Sequence, residues 1–315
     1  MKSISWLQNE ADFRELRRRN PGPMVLTIGN FDGVHAGHQH IFTRMRLCKQ
    51  QWMAVLTFRP HPVQVLFPER KHLQLFTVED QKSQLEGQSV DWVLEQNFDK
   101  AFARLNIQDF LKLMLEELFQ PQAIVVGYDF NFAVNRSGTA TDLKAYCQQK
   151  GIYFEQAQAQ KIDSQIISTT QIRNFLSEGS VQQAKLFLKR CFYLQGHVVR
   201  GEQRGRALGF PTANLQCLAP FFPRPGVYAG YLVRQEKRYK AVANLGFNPT
   251  FQAQVEMDVP LKVEVHVMDF QEDLYGQHVC FEFEHFLRVE KKFSGLEELK
   301  SQIQLDVKTA RELLK

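Results

Sequence analysis

The sequence lacks a long apolar run. No uninterrupted stretch approaches the roughly 18 residues that a membrane-crossing helix needs, and the opening MKSISWLQNE offers no apolar segment fit for a signal peptide. Membrane and secretory classes are set aside on that ground. Cysteine is scarce and scattered. The five, Cys48, Cys147, Cys191, Cys217 and Cys280, are odd in number and form no CxxC pair, which argues against a disulfide framework or a zinc ribbon and makes a reducing cytoplasm the expected location. No two of the 18 glycines stand two residues apart, so GxGxxG cannot occur; Gly-Lys, GxSxG and HExxH are also missing. Ordinary dinucleotide oxidoreductases and P-loop kinases thereby lose their main signatures.

What remains is an ordinary globular composition, 44% hydrophobic and 23% charged over 315 residues, long enough for two domains. The 39 basic side chains exceed the 34 acidic ones by too little to demand a nucleic-acid partner, and none is expected. Their distribution is uneven. Residues 188–240 hold ten Lys or Arg against two acids, whereas 241–315 hold eight against thirteen, so the earlier of these stretches looks suited to anions. The 26 phenylalanines read first as a Phe-rich core and leave room for a planar ligand.

Along the chain, 24–31 and 52–58 read as short buried strands separated by a helical stretch from His38 to Gln51. The alternation repeats with strands at 91–96 and 123–130, a helix from Ile107 to Phe119, and a helix over 142–151 stopped by Gly151. Strands alternating with helices predict a parallel, Rossmann-like sheet covered on both faces. The segment from Thr169 to Arg190 predicts two short helices broken at Gly179-Ser180, with a domain boundary after them: 1–187 and 188–315. From Tyr193 the pattern becomes many short strands cut by Gly and Pro, as in an antiparallel barrel. A terminal helix follows, with Leu296, Leu299, Ile303, Val307 and Ala310 on one face.

The first predicted strand runs into Gly29-Asn30-Phe31-Asp32-Gly33-Val34-His35-Ala36-Gly37-His38-Gln39. Its centre is His-x-Gly-His opening a helix. In a first turn the two histidines share a face, Gly37 leaves room for close approach, and the free N–H groups add positive potential, an arrangement suited to a polyphosphate. Capping and packing are the simpler alternative, and a metal site with His40 a third. No Cys or carboxylate at a supporting spacing favours the metal.

These residues resemble the HxGH nucleotidyltransferases, and further segments narrow the likeness. Thr57-Phe58-Arg59-Pro60-His61-Pro62, the stretch from Val126 to Phe132, and the stretch from Ile167 to Arg173 resemble bacterial bifunctional riboflavin kinase/FAD synthetases. So do the later run from Gly201 to Asn214, then Val263-Glu264-Val265-His266 and Asp273-Leu274-Tyr275-Gly276. The ordered set spans nearly the whole chain. The resemblance implies an N-terminal HxGH-type nucleotidyltransferase domain making FAD and pyrophosphate from FMN and ATP, and a C-terminal β-barrel domain phosphorylating riboflavin, both with Mg²⁺.

On that resemblance His35, His38 and Arg173 act at the ATP phosphates, with Gly29, Phe31, Gly37, Ser168 and Thr169 in the same nucleotide site. An arginine there can hold a phosphate bidentately, while one of Ser168, Thr169 and Thr170 also caps the next helix. Phe58, Pro60 and Pro62 are candidates for an apolar wall beside the flavin, and Asp129 for a flavin or metal contact. In the later domain Gly201, Arg204, Gly205, Arg206 and Thr212 are expected at ATP, Thr212 and Asn214 at the metal, and Glu264 as the base for the ribityl hydroxyl. The sequence departs from the family pattern at Asn131 and Ala133 in a DFRFG-like stretch, at Arg59 where an acid is common, and at Lys189 in place of a Gly. Two rivals stay open: an enzyme retaining only the kinase step, and a flavin-binding regulator touching RNA through 188–240.

Overall fold

The computed structural model describes residues 4–70, 73–201, 209–246 and 262–314. The chain folds as two units, Met1–Ser168 and Thr169–Lys315. In the first unit, strands β1 (Ser5–Leu7), β2 (Met24–Ile28), β3 (Trp52–Arg59), β4 (Trp92–Asn97), β5 (Ala123–Val126) and, after two short strands β6 (Asn131–Phe132) and β7 (Gly138–Thr139), β8 (Tyr153–Gln156) form one sheet. Its order is β1-β4-β3-β2-β5-β8, and every pairing is parallel. A second small hairpin, β9 (Lys161–Ile162) with β10 (Gln165–Ile166), closes the unit.

The two-residue period of a strand sorts the core into two layers. Met24, Leu26, Leu56, Leu94, Ile124 and Val126 face one side, with Phe13 of α1 (Glu10–Arg19) and Leu143 of the helix over Ala140–Lys150. Val25, Val55, Val93 and Val125 face the other, against Ile41, Phe42 and Met45 of α2 (Ala36–Leu47). That is why these strands read as unbroken apolar runs. Two further helices, α3 (Pro62–Leu66) and α4 (Val78–Glu86), lie between β3 and β4. The expected helix 107–119 is present as α5 (Ile107–Leu111) continued by a π-helical stretch, Lys112–Phe119. The helix Ala140–Lys150, α6, ends as expected on Gly151, whose φ of 68° is left-handed.

In the second unit, α7 (Thr169–Glu178) and α8 (Val181–Leu188) flank the Gly179-Ser180 break and precede the barrel. Its strands are β11 (Phe192–Val199), β12 (Ala213–Cys217), β13 (Gly226–Arg234), β14 (Lys237–Gly246), β15 (Lys262–Val267) and β16 (His278–Arg288). They close in the order β11-β12-β15-β14-β13-β16, all antiparallel, which removes free edges. Leu215, Leu245, Val263, Val265, Phe281 and Phe283 are buried. The terminal helix α9 (Leu296–Leu313) brings Ala310 and Val307 into a cluster with Val227, Ala229 and Val242. Leu296 departs from the expected apolar face: it is 68% exposed in the first turn. The face instead buries Asp306, whose carboxylate takes the Arg288 guanidinium through three N–H···O contacts of 2.8–3.1 Å.

Much of the basic excess in 188–240 serves the fold. Arg238 pairs with Glu282 at 2.7 Å and Glu284 at 3.5 Å and lies 4.0 Å over the Tyr231 ring. Arg234 pairs with Glu272, and Lys240 donates to the Leu314 carbonyl at 2.7 Å.

Candidate active sites

In the first unit the chain runs from β2 to β3 on one side, and β5 returns to the other side of β2. This reversal makes the carboxyl ends of β2 and β5 the topological switch point, where open α/β sheets hold ligands. Gly29–Gln39 leave β2 there, and Gly127-Tyr128-Asp129 leave β5. A side chain at Gly127 would sit 3.4 Å from Asp129 Oδ1 and 3.5 Å from Ile41 Cδ1, so the β5 turn lies against α2.

The turn after β2 is tightly folded: Phe31, Gly33 and Val34 have φ of 50°, 78° and 36°. For a β-branched valine that conformation is costly, of the order of 1–3 kcal/mol, and such strain gathers where a ligand is gripped. Anchors hold it. Both oxygens of buried Asp32 accept the Leu75 N–H, at 2.9 and 3.1 Å, and Gln81 Nε2 donates to the Asn30 carbonyl at 2.6 Å. His35 caps α2, its Nδ1 accepting the His38 N–H at 3.3 Å. The neutral tautomer consistent with that bond carries its proton on Nε2. The two imidazoles stack with centroids 3.6 Å apart and 17° between planes, while Phe31, 2% exposed, meets His38 edge-on. Phe31 thus serves as a support under His38. A methyl group at Gly37 would press on the His35 ring at 3.1 Å and stand 3.8 Å from the Ile167 carbonyl. Among the described residues no three His, Cys, Asp or Glu cluster as metal ligands.

The structure joins the two flavin candidates by a feature the sequence does not mark. Phe58 touches Phe98 and Phe102, and the contacts continue through Phe110 and Phe132 to Phe130, beside Asp129, with centroids 5.0–6.1 Å apart. Pro60 is exposed next to Phe58, and Pro62 opens α3 behind the His61 cap. Arg59, unexpected beside this wall, pairs with buried Glu95 of β4 at 2.8 Å and reaches Gln74 and Gln81. Asn131 folds back to donate to the Asp129 carbonyl at 2.7 Å. Ala133 adopts φ 63°, ψ −178°, a region almost reserved for glycine.

Ser168 ends the first unit; Thr169 and Arg173 lie on α7 of the second, where Arg173 Nη2 reaches Thr170 Oγ1 at 3.4 Å.

The barrel gathers a different set. Residues directly opposite across antiparallel strands share a face. Asn214 of β12 pairs with Glu264 of β15, and Glu264 with Asn244 of β14, which sets Asn214, Glu264 and Asn244 in one row. The row alternates with the buried valines of β15, so it faces away from the barrel core. Asn214 is 8% exposed, and its Oδ1 has no hydrogen-bond partner among the described residues. Gly201 lies on it: an added Cβ would fall 2.2–2.6 Å from the carboxamide atoms. Thr212 is half-buried two residues before Asn214. Glu264 pairs with Lys262 at 2.7 Å. Arg204, Gly205 and Arg206 lie outside the described residues.

Sequence reading missed Asn244 and Glu290. Glu290 follows β16 and accepts from Asn244 Nδ2 at 3.4 Å. Partial desolvation, with the nearby Glu264 charge adding to it, pushes its carboxyl above the usual carboxylate range, while Asn244 and Arg288 oppose the shift. Nothing in a lone Asn or in an RVEKKF stretch signals that pairing.

A strained His-x-Gly-His turn at the switch point of a parallel sheet, followed by a closed barrel with an Asn-Glu-Asn row, defines a two-part nucleotide-dependent transferase. Residues 17–171 match the FAD synthetase family and 188–314 the riboflavin kinase family. The chain is 34% identical to the bifunctional riboflavin kinase/FMN adenylyltransferase of Haemophilus influenzae, over 91% of this chain and 93% of that one. It is also 34% identical to the Escherichia coli K12 protein of the same description, over 91% and 92%. A crystal structure from Streptococcus pneumoniae described as a macrolide-efflux protein has the same fold, with a TM-score of 0.86 and 28% identity over 99% of both chains. No helix among the described residues is long and apolar enough to cross a membrane. The chain belongs to the bifunctional riboflavin kinase/FMN adenylyltransferase family.

Proposed function

We propose that the chain converts riboflavin and ATP to FMN and ADP in its barrel, and FMN and ATP to FAD and pyrophosphate in its parallel-sheet unit, in the cytoplasm. The observation that carries the first half is the buried Asn214 Oδ1, which has no hydrogen-bond partner among the described residues and lies beside Glu264. An amide oxygen left so costs about 1–3 kcal/mol unless a ligand meets it. With Thr212 Oγ1 it offers neutral oxygens, the donor type that Mg²⁺ accepts when ATP supplies the charged ones. Thr212 and Asn214 would hold that ion, which supplies charge neutralisation at the transferring phosphate.

The chain's own groups do the rest. Gly201 lets the backbone close on the nucleotide, and Arg204, Gly205 and Arg206 are assigned to the ATP of the same step. Glu264 takes the proton of the ribityl 5′-hydroxyl as its oxygen bonds to the γ-phosphorus and the bond to the ADP oxygen breaks. Lys262, on a flexible four-carbon stem, leaves Glu264 for the arriving phosphates.

In the parallel-sheet unit the reaction joins two anions, so positioning and charge neutralisation dominate. His35 and His38 donate to the ATP phosphates at the positive end of α2. Gly29, Gly37 and the Phe31 backbone shape the same pocket, and the family likeness assigns Ser168, Thr169 and Arg173 to the ATP of this reaction. The FMN phosphate oxygen attacks the α-phosphorus and pyrophosphate leaves. Phe58, Pro60 and Pro62 wall the flavin, with Asp129 at the opposite turn. We place the functional boundary at 187/188, where the riboflavin kinase match begins.

Supplying FMN, ATP and Mg²⁺ and measuring pyrophosphate separates this reading from a kinase-only enzyme. Stoichiometric pyrophosphate and FAD are expected. FMN left unconsumed would overturn the adenylylation half.

A further inference from the structure

We infer that Glu290 is a positioning residue for riboflavin phosphorylation, holding the Asn244 amide away from Glu264 so that the Glu264 carboxylate stays open to the substrate proton. The inference rests on Glu264 being the base. Asn244 and Glu264 are directly opposed on β14 and β15, a placement that brings Cβ atoms to about 4.5–5.5 Å. An amide N–H at that range is a natural donor to the carboxylate. A donor engaged there occupies the carboxylate oxygen that the ribityl hydroxyl has to approach. In the folded barrel the Asn244 Nδ2 donates to Glu290 Oε1 instead, at 3.4 Å.

The backbone is built to admit Glu290 to that place. Gly246 follows Asn244 by two residues on the same face of β14, and a Cβ there would lie 2.0 Å from Glu290 Oε1 and 2.6 Å from its Cδ. Any other residue would push the carboxylate out. Gly246 lies on β14 beside Asn244, so Glu290 stands at the Asn244 end of the row, opposite the end closed by Gly201 over Asn214. The approach of Glu290 is also fixed. Two residues earlier, Arg288 is locked to Asp306 of α9, with side chains 16% and 7% exposed. The terminal helix thereby sets the position of a residue at the kinase row, although α9 contributes no atom to it.

Lys262 does not replace this device. Its ammonium can move to incoming phosphates, whereas the short Asn244 side chain, among the described residues, stands opposite Glu264 and donates to Glu290.

The test uses the full chain and four variants, with FMN formation followed over a range of ATP concentrations at saturating riboflavin. Glu290→Ala releases the Asn244 donor; kcat for FMN formation is expected to fall about tenfold, with KM for ATP within about twofold. Glu290→Gln keeps an acceptor oxygen and is expected to restore most of kcat. The double variant Glu290→Ala with Asn244→Ala removes the freed donor and is expected to recover activity over Glu290→Ala alone, which loss of packing would not do. The barrel's own thermal transition, followed by calorimetry on the same preparations, reports that each variant is folded. The inference is overturned if Glu290→Ala retains wild-type kcat, or if the double variant is no better than Glu290→Ala. Full kinase activity in Glu264→Ala would instead overturn the base assignment.

Discussion

Lys189 ends α8 in the left-handed region, at φ 60° and ψ 19°, where the family pattern has glycine. An L-residue with a Cβ carries about 1–2 kcal/mol there, while glycine gives back about 0.5–1 kcal/mol through the freedom of its unfolded chain. Lys189 is exposed, so no packing is lost on truncation. Relief of strain therefore outweighs entropy, and Lys189→Gly is expected to stabilise the second unit by about 0.5–1 kcal/mol. For a unit of this size that raises Tm by about 1–4 °C. Differential scanning calorimetry of the full chain, resolving the barrel transition, reads the shift. Lys189→Ala is the control, since it removes the charge and keeps the Cβ. A Tm for Lys189→Gly at or below that of Lys189→Ala would refute the reasoning.

Asp306→Ala leaves the Arg288 guanidinium without its partner in a nearly closed site. A loss of about 2–4 kcal/mol is expected, read as a lowered denaturation midpoint of the barrel. A change within about 0.5 kcal/mol would show the pair to be ornamental. Burial raises the Glu284 carboxyl, but hydrogen bonds from Lys185 and Cys191 outweigh it and hold the net value below the usual carboxylate range. The depressed group contributes stability that is present above the unfolded pKa and lost as pH falls through the folded one. Glu284→Gln should therefore cost barrel stability at neutral pH and flatten its acid limb, and parallel stability-pH curves for the two proteins would count against this. Burial pushes the thiols of Cys147, Cys191 and Cys217 to about 12, so iodoacetamide at pH 8 should label them far more slowly in the native protein than in guanidinium.

The parallel sheet and barrel were legible because each strand shows its burial in its own residues: unbroken apolar runs in the first unit, alternation such as Val263, Val265 and Val267 in the second. The His-x-Gly-His turn was legible because its spacing on a helix is local. Its anchors were not, since Leu75 meets Asp32 and Gln81 meets Asn30 only across the fold. The aromatic run from Phe58 to Phe130 joins segments more than seventy residues apart, so abundance of Phe could not announce it. Asp306 was hidden for a related reason. A carboxylate on a helix reads as solvated until Arg288 is brought beneath it, and that contact, rather than Leu296, completes the packed face. Charge counting over 188–240 overstated the anion site, because Arg234, Arg238 and Lys240 are held by Glu272, by Glu282 with Glu284, and by the Leu314 carbonyl.

The central claim is that one chain carries two separable reactions. It is tested most directly by a chromatographic time course of riboflavin, ATP and Mg²⁺ with the wild type, His38→Ala and Glu264→Ala. The wild type should form FMN and then FAD. His38→Ala should accumulate FMN with little FAD, and Glu264→Ala should form no FMN from riboflavin while still converting added FMN to FAD. Equal loss of both steps in either variant would contradict the account.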